Sequence, residues 1–362
     1  MGMRNYPSAP NTIDLAITYN CNLGCRHCNL KCNIGDAINM PFKTIQKLFM
    51  AFSKIGVFQV YLQGGEPFLH PEIFDILKWI RSNSNLRIII NTNGLKINSN
   101  ILSMLSYSPN IELVVSLYEE VLENSSNSNY YKQLFKRTKV NKIRTSINYL
   151  VRKDNMNRIE NRYNEFIDFV NCITLIKYAP IGSEAAIKQY DIPYSDWKKC
   201  LLSLTQRKRL GKLEKLKILL PSAWEFYLPL IDSYAKDDIT DIENLWGYHS
   251  ECSIMGKGPC CSCGLSTLFI GADGKVYPCS LIGRIEKMCI DNIYDNNILD
   301  IWNNNKTLSY IRSSKTFDLS PVCKKCDIVK LCRGGCYGYS LLHKGFLNYI
   351  PKDDRCPMYE GD

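Results

Sequence analysis

Long apolar runs are missing. Nowhere do the 362 residues approach the roughly 20 consecutive apolar residues of a membrane-spanning helix. Met1 to Pro10 lack the apolar core of a secretory signal, so the expected compartment is the cytoplasm and no membrane partner is expected. There is no internal repeat and no low-complexity tract. No nucleic-acid motif is present, nor any interleaving of aromatic with basic residues, so nucleic acid is not expected as a partner. Overall disorder is excluded by composition: 45% of the chain is hydrophobic, enough for a sizeable core.

What the chain has in excess is cysteine, at seventeen residues. A reducing cytosol disfavours structural disulfides, so clustered cysteines there point to metal or redox sites. The net charge is +10, with much of the excess in Arg207, Lys208, Arg209, Lys212, Lys215 and Lys217. That stretch reads either as a solvated helix face or as a surface for an acidic peptide or phosphorylated ligand.

Six short runs rich in Ile, Val, Leu, Phe and Tyr read as buried strands: Ile13–Thr18, Val57–Leu62, Leu86–Asn91, Ile111–Leu117, Ile143–Leu150 and Ile173–Tyr178. Amphipathic stretches between them, Phe42–Ile55, Glu72–Ser82, Ser99–Leu105 and Arg158–Val170, read as helices. Strand then helix, repeated, predicts an α/β fold with a parallel sheet, here a partial TIM-like (β/α)6 barrel. We expect this barrel over residues 1–192, a helical connector over 193–250 and a cysteine-rich module over 251–362. The polar motifs follow the strands, and ligands of parallel α/β folds bind at the strands' carboxyl ends.

The first motif is Cys21-x3-Cys25-x2-Cys28, with Gly24 where the loop bends. Three thiolates can hold three irons of a cubane and leave the fourth without a protein ligand. Zinc is the alternative, but it prefers paired two-residue spacings and four ligands, with Cys32 as a possible fourth. Downstream lie Gly64-Gly65-Glu66-Pro67 and Asn91-Thr92-Asn93-Gly94. Together these motifs resemble the radical S-adenosylmethionine superfamily over roughly Ile13 to Gly182. The resemblance implies that Cys21, Cys25 and Cys28 hold a 4Fe–4S cluster whose free iron is chelated by S-adenosylmethionine. It implies that Gly64, Gly65, Glu66 and Pro67 receive the methionine ammonium. Asn93, Ser116 and Asn148 would be polar contacts, and His27 would face adenine. Cys32 is outside the motif and reads as a bystander. Ser116-Leu-Tyr-Glu-Glu departs from the relatives' S-x-D-G-like turn, which puts contacts from that loop in doubt.

The second motif is Cys323-x2-Cys326-x5-Cys332-x3-Cys336 with Cys356 beyond, preceded by Cys261-x12-Gly274-x4-Cys279. It resembles the SPASM domain, which binds two auxiliary 4Fe–4S clusters. The resemblance assigns Cys261, Cys279 and Cys336 to the first, with Cys252 or Cys260 as its fourth ligand. It assigns Cys323, Cys326, Cys332 and Cys356 to the second. Cys263 reads as a surplus thiol or an alternative ligand. Cys172, Cys200 and Cys289 read as buried small hydrophobes. Zinc knuckles are the alternative for the module as a whole. Ala272-Asp273-Gly274-Lys275 predicts a hairpin that brings Cys261 and Cys279 together.

The family's reaction cleaves S-adenosylmethionine reductively to a 5′-deoxyadenosyl radical, which takes hydrogen from a substrate. Relatives with this C-terminal module mostly modify peptides, so the leading expectation is maturation of a ribosomally made peptide. About twelve residues precede the first strand, so a leader-recognition domain is not expected there. A separate recognition protein or docking on the basic surface would take its place, and a flavodoxin or ferredoxin would supply electrons. Sulfatase-maturing relatives place an Asp base after the Tyr-Pro-Cys cysteine, whereas here Ser280 follows Cys279. The alternatives are a tetrapyrrole or other small-molecule substrate, and a multi-cluster electron-transfer protein without catalysis. The sequence singles out no catalytic acid or base.

Overall fold

The computed structural model describes residues 6–181, 188–248, 261–313, 319–344 and 353–359. Its centre is one ten-stranded sheet. The strands in chain order are β1 (Thr12–Thr18), β2 (Gln59–Gly64), β3 (Arg87–Thr92), β4 (Ile111–Leu117), β5 (Arg144–Val151), β6 (Ile173–Lys177), β7 (Leu216–Leu219), β8 (Thr267–Ile270), β9 (Lys275–Tyr277) and β10 (Asp291–Asn292). Strands β1 to β7 lie side by side in sequence order and all pair in parallel. This is the expected partial barrel. Its sheet runs on beyond six strands at both sides.

On one side the connector is not purely helical, because Leu216–Leu219 pairs in parallel with β6. Four residues amid a lysine-rich stretch give too short an apolar run to stand out in the sequence. On the other side β8, from the cysteine-rich part, pairs in parallel with β1, and β9 and β10 follow antiparallel. The turn between β8 and β9 has Gly274 at φ 83°, the left-handed conformation that glycine adopts without strain.

Helices α1 (Phe42–Ile55), α2 (Ile73–Asn83), α3 (Ser99–Leu105), α4 (Glu119–Leu122), α5 (Ser125–Val140), α6 (Ile159–Phe166), α7 (Tyr194–Arg209), α8 (Trp224–Ile231) and α9 (Lys236–Trp246) include the crossovers of the barrel. Helix α1 buries Ile45, Leu48, Phe49 and Phe52, spaced three or four residues apart on one face. Each such side chain contributes about 1.5–3 kcal/mol on burial. Helix α5 was not visible in the sequence, since it buries only Tyr131, Leu134, Phe135 and Thr138 in a polar background. Among the described residues no helix is long and apolar enough to cross a membrane.

The basic stretch is partly consumed by structure. Lys208 is buried, and its ammonium donates to the carbonyls of Leu213, Glu214 and Leu216. Burial pulls its pKa down to about 8. Arg207 pairs with Glu160 and Arg209 with Asp238, which leaves Lys212, Lys215 and Lys217 exposed.

Candidate functional site

The backbone first fixes the three-cysteine loop. Beyond β1 the chain turns back on itself, with Asn20 bridged to Asn33 and Thr18 to Asn39. The Leu23 amide donates to Cys21 Sγ at 3.4 Å, and the Cys28 amide to the Cys25 carbonyl at 3.1 Å. A Cβ on Gly24 would meet nothing within 4 Å of protein, so the loop's bend does not itself demand glycine there.

The Gly-Gly-Glu-Pro segment packs directly on this loop. A Cβ on Gly64 would lie 2.1 Å from the Thr18 carbonyl oxygen, and one on Gly65 2.2 Å from that of Asn20. The Gly65 and Glu66 amides donate to those same two carbonyls, each at 2.8 Å. The glycines therefore serve the approach of backbone to backbone. Glu66 is fully buried, and its carboxylate accepts from the Phe68 amide, the Thr92 hydroxyl (2.7 Å) and the Asn93 amide (2.8 Å). Burial pushes its pKa up to about 7. The carboxylate is thus spent on joining the β2 loop to the β3 loop, and the ammonium-binding role that the family resemblance implies for it is not where its hydrogen bonds go. Pro67 opens the short 3-10 turn Pro67–Leu69, where its missing N–H costs nothing. The Asn93 side chain bonds to Asn22 of the cysteine loop at 2.9 Å.

These pieces frame one cavity of about 580 Å³ at the carboxyl ends of the strands. Cys21, Cys25 and Cys28 line it from the first loop. Ser116 and Asn148, opposed in register on β4 and β5, line the far wall. Ser116 is also within hydrogen-bond reach of the buried Tyr118 hydroxyl. The His27 ring lies 4.7 Å from the Tyr118 ring, and its Nδ1 is 3.3 Å from Glu120. Nδ1 thus has Glu120 as its partner, while Nε2 is buried without a hydrogen-bond partner among the described residues, as is Asn91 Oδ1. Glu119 and Glu120 turn out of the cavity. Glu119 binds Arg158, Arg162 and Tyr149, and Glu120 binds Arg152. Buried, partnerless polar atoms beside three thiols fit a polar nucleotide held at a three-cysteine cluster.

The C-terminal cysteines close the same cavity. Cys261, Cys279 and Cys336 line it together with Cys263. Asn29, next to Cys28, donates to the Ser280 carbonyl at 2.6 Å. Arg284 donates to the Leu30 carbonyl at 3.1 Å, pairs with Asp36 and stacks over Tyr19. These contacts hold the two cysteine-bearing segments against each other. Cys323, Cys326, Cys332 and Cys356 line a second, separate pocket of about 20 Å³. That is about one water's space, so a four-iron cluster there requires the thiols to part. Cys252 and Cys260 lie outside the described residues. Among the described residues no group of three His, Cys, Asp or Glu is set to hold a single metal ion.

Several residues differ from the sequence reading. Cys32 is buried with its thiol against Cys28, closer to the first motif than a bystander. Cys172, Cys200 and Cys289 are only partly buried. Gln63 and Asn91 line the cavity, their side chains 3.4 Å apart, and the sequence reading gave neither a role of its own. Asp14 on β1 also lines the cavity and belongs to none of the sequence motifs. Its carboxyl faces the cavity and meets the Ser280 side chain. Burial within the barrel pushes its pKa up to about 6. Only the alternation of β1, with Ile13, Leu15 and Ile17 fully buried on the other face, could have marked it as lumen-facing.

Comparison with known proteins agrees with this geometry. Residues 15–164 match the Radical SAM superfamily, and residues 260–327 match SPASM, an iron–sulfur cluster-binding domain. An AdoMet-dependent heme synthase of Methanosarcina barkeri is 23% identical over 96% of this chain and 97% of its own. A cysteine-type anaerobic sulfatase-maturating enzyme of Clostridium perfringens is 25% identical over 76% of this chain and 72% of its own. The solved structure of Streptococcus suis SuiB bound to precursor peptide SuiA superposes with a TM-score of 0.76 at 20% identity, covering 98% of this chain and 77% of that one. That likeness establishes a shared fold. By its two sequence matches, the chain carries a Radical SAM superfamily domain over residues 15–164 and a C-terminal SPASM domain over residues 260–327.

Proposed function

We propose that this enzyme abstracts hydrogen from a ribosomally synthesised peptide and so matures it, by crosslinking, oxidation or a related modification. The observation that carries the reading is the convergence of Cys21, Cys25 and Cys28 with Cys261, Cys279 and Cys336 on one cavity. In this reading Cys21, Cys25 and Cys28 hold the cluster that takes S-adenosylmethionine. Cys261, Cys279 and Cys336 hold a first auxiliary 4Fe–4S cluster, and Cys323, Cys326, Cys332 and Cys356 a second. When bound, the first cluster supplies the electron that cleaves the sulfonium.

The chain's own residues bind and enclose. His27 and Tyr118 give a wall for a purine, and Ser116, Asn148 and Asn91 supply polar contacts. Glu66 fixes the β3 turn, and the barrel keeps stray hydrogen donors away. The domains run over residues 1–192, 193–250 and 251–362. A separate leader-recognition protein presents the substrate, a flavodoxin or ferredoxin delivers electrons, and the enzyme works in the cytoplasm.

The full chain, reconstituted anaerobically, is expected to form deoxyadenosine when reduced. Cys28→Ala is expected to lower that at least 100-fold while auxiliary iron stays bound. Undiminished turnover by the variant would refute the assignment. A tetrapyrrole substrate is the second reading, favoured by the end-to-end match to a heme synthase. Mass spectrometry of products from short peptides and from porphyrin precursors separates the two.

A further inference from the structure

Four thiols, not three, gather where the C-terminal module meets the barrel cavity. We infer that Cys263 is a ligand of the first auxiliary cluster, completing with Cys261, Cys279 and Cys336 a four-thiolate cage. The inference rests on the proposed reading that these cysteines hold a cluster, and it replaces Cys252 and Cys260 as the fourth ligand.

Cys263 is 0% exposed to solvent and lines the same cavity as the other three. Its thiol lies within hydrogen-bond reach of both the Cys261 and Cys279 side chains. The fourth corner is fixed through Gly338, whose absent Cβ would sit 3.1 Å from Cys279 Sγ and 3.9 Å from Cys336 Sγ. All four sulfurs thus border one small volume.

Backbone geometry explains why this cysteine arrives there. Cys261 and Cys263 are two residues apart in non-helical chain, and residues at that spacing in extended backbone point to the same side. Cys263 bridges to Thr267, and the adjacent Gly264 amide donates to the Pro278 carbonyl at 2.9 Å. One short turn is therefore tied to the residue preceding Cys279. The positions of Cys263 and Cys279 are set by the same backbone bonds.

The competing role is packing, since free cysteine often serves as a small buried hydrophobe. Packing gives no reason for a side chain to sit against other thiols. A cluster does, because each thiol that loses its proton to coordinate iron joins a shared cage.

The test uses the anaerobically reconstituted full chain and its variants Cys263→Ala, Cys263→Ser, Cys252→Ala and Cys260→Ala. Iron and sulfide are counted per chain, and electron paramagnetic resonance and Mössbauer spectra are recorded. With three cubanes the wild-type chain holds about 12 irons, and Cys263→Ala is expected to lose between about one and four of them. Cys263→Ser is expected to keep more iron but to change the spectrum of one cluster, because oxygen replaces sulfur. Packing alone would not move that spectrum. Cys252→Ala and Cys260→Ala are expected to match wild type. Iron retained at the other centres shows that a variant has folded, and if Cys263→Ala is insoluble the Cys263→Ser spectrum decides. Wild-type iron and unaltered spectra in both Cys263 variants would overturn the inference while leaving the cluster reading intact. Zinc in the C-terminal module of the wild-type chain would overturn both.

Discussion

Glu66 accepts three hydrogen bonds at once and is sealed from solvent. In Glu66→Gln an amide NH2 must face a backbone N–H or the Thr92 hydroxyl. We expect a loss of about 1–3 kcal/mol from one unsatisfied donor, read as a lower melting temperature, with weaker S-adenosylmethionine binding. Because burial raises this carboxyl from an ordinary 4.5 to about 7, the folded chain holds its proton more tightly than the unfolded chain. Its contribution to stability is full below pH 4.5 and declines as pH rises towards 7, the reverse of a salt-bridged carboxylate. In the proposed reaction the substrate radical, once its hydrogen atom has gone to deoxyadenosine, would lose an electron to an auxiliary cluster and a proton to a base, and Asp14, on the cavity wall beside Ser280, is placed to take that proton. On the proposed peptide-maturing reading, Asp14→Asn is expected to leave iron content and deoxyadenosine formation in place while slowing substrate modification at least 10-fold. In wild type that modification should rise as pH passes about 6, the point to which burial moves this carboxyl, and the variant should lack the rise. An unchanged pH profile in Asp14→Asn would exclude it as the acceptor.

At the scale of elements, the contact between the Gly-Gly-Glu-Pro turn and the cysteine loop governs the site. Gly65→Ala drives a Cβ to 2.2 Å from the Asn20 carbonyl oxygen, and only backbone movement relieves it. We expect loss of cluster iron and a destabilisation of about 3 kcal/mol or more. Gly24→Ala meets no protein atom within 4 Å and is expected to keep wild-type iron. Iron counts on the two variants check the contrast. The sequence made the barrel legible because β1 to β6 are continuous apolar runs, and it made the cysteine sets legible because their spacing is strict. It did not disclose β7, which is too short, or α5, whose apolar face is diluted by Ser, Asn and Lys. It could not tell that Glu66 faces Thr92 and Asn93, or that Asp14 and Ser280 meet across the cavity. Those pairings depend on tertiary register, which local pattern does not encode.

At the scale of the whole molecule, Asp353 links the connector to the C-terminal module. It accepts from Trp224 Nε1 at 3.0 Å, from the Ser222 hydroxyl, from the Cys336 amide at 3.3 Å and from Arg355 at 2.7 Å. Burial opposes its charge, yet Arg355 and these donors hold its carboxyl below the usual carboxylate range. Its stabilisation is therefore present above pH 3.8 and lost as pH falls through the lower folded value. Asp353→Asn is expected to lower stability at neutral pH and to flatten the acid limb. Thermal unfolding across about pH 3 to 6 measures both effects, and an unchanged acid limb would assign that dependence to other groups.

The pairing of β8 with β1 also has a consequence for biosynthesis. Thr12 waits for Thr267 as its neighbour, so about 250 residues must leave the ribosome before one flank of the first strand is covered. Until then that flank offers unpaired amides and carbonyls to other nascent chains. Stalled or prematurely terminated translation products of this protein should therefore aggregate or recruit chaperones.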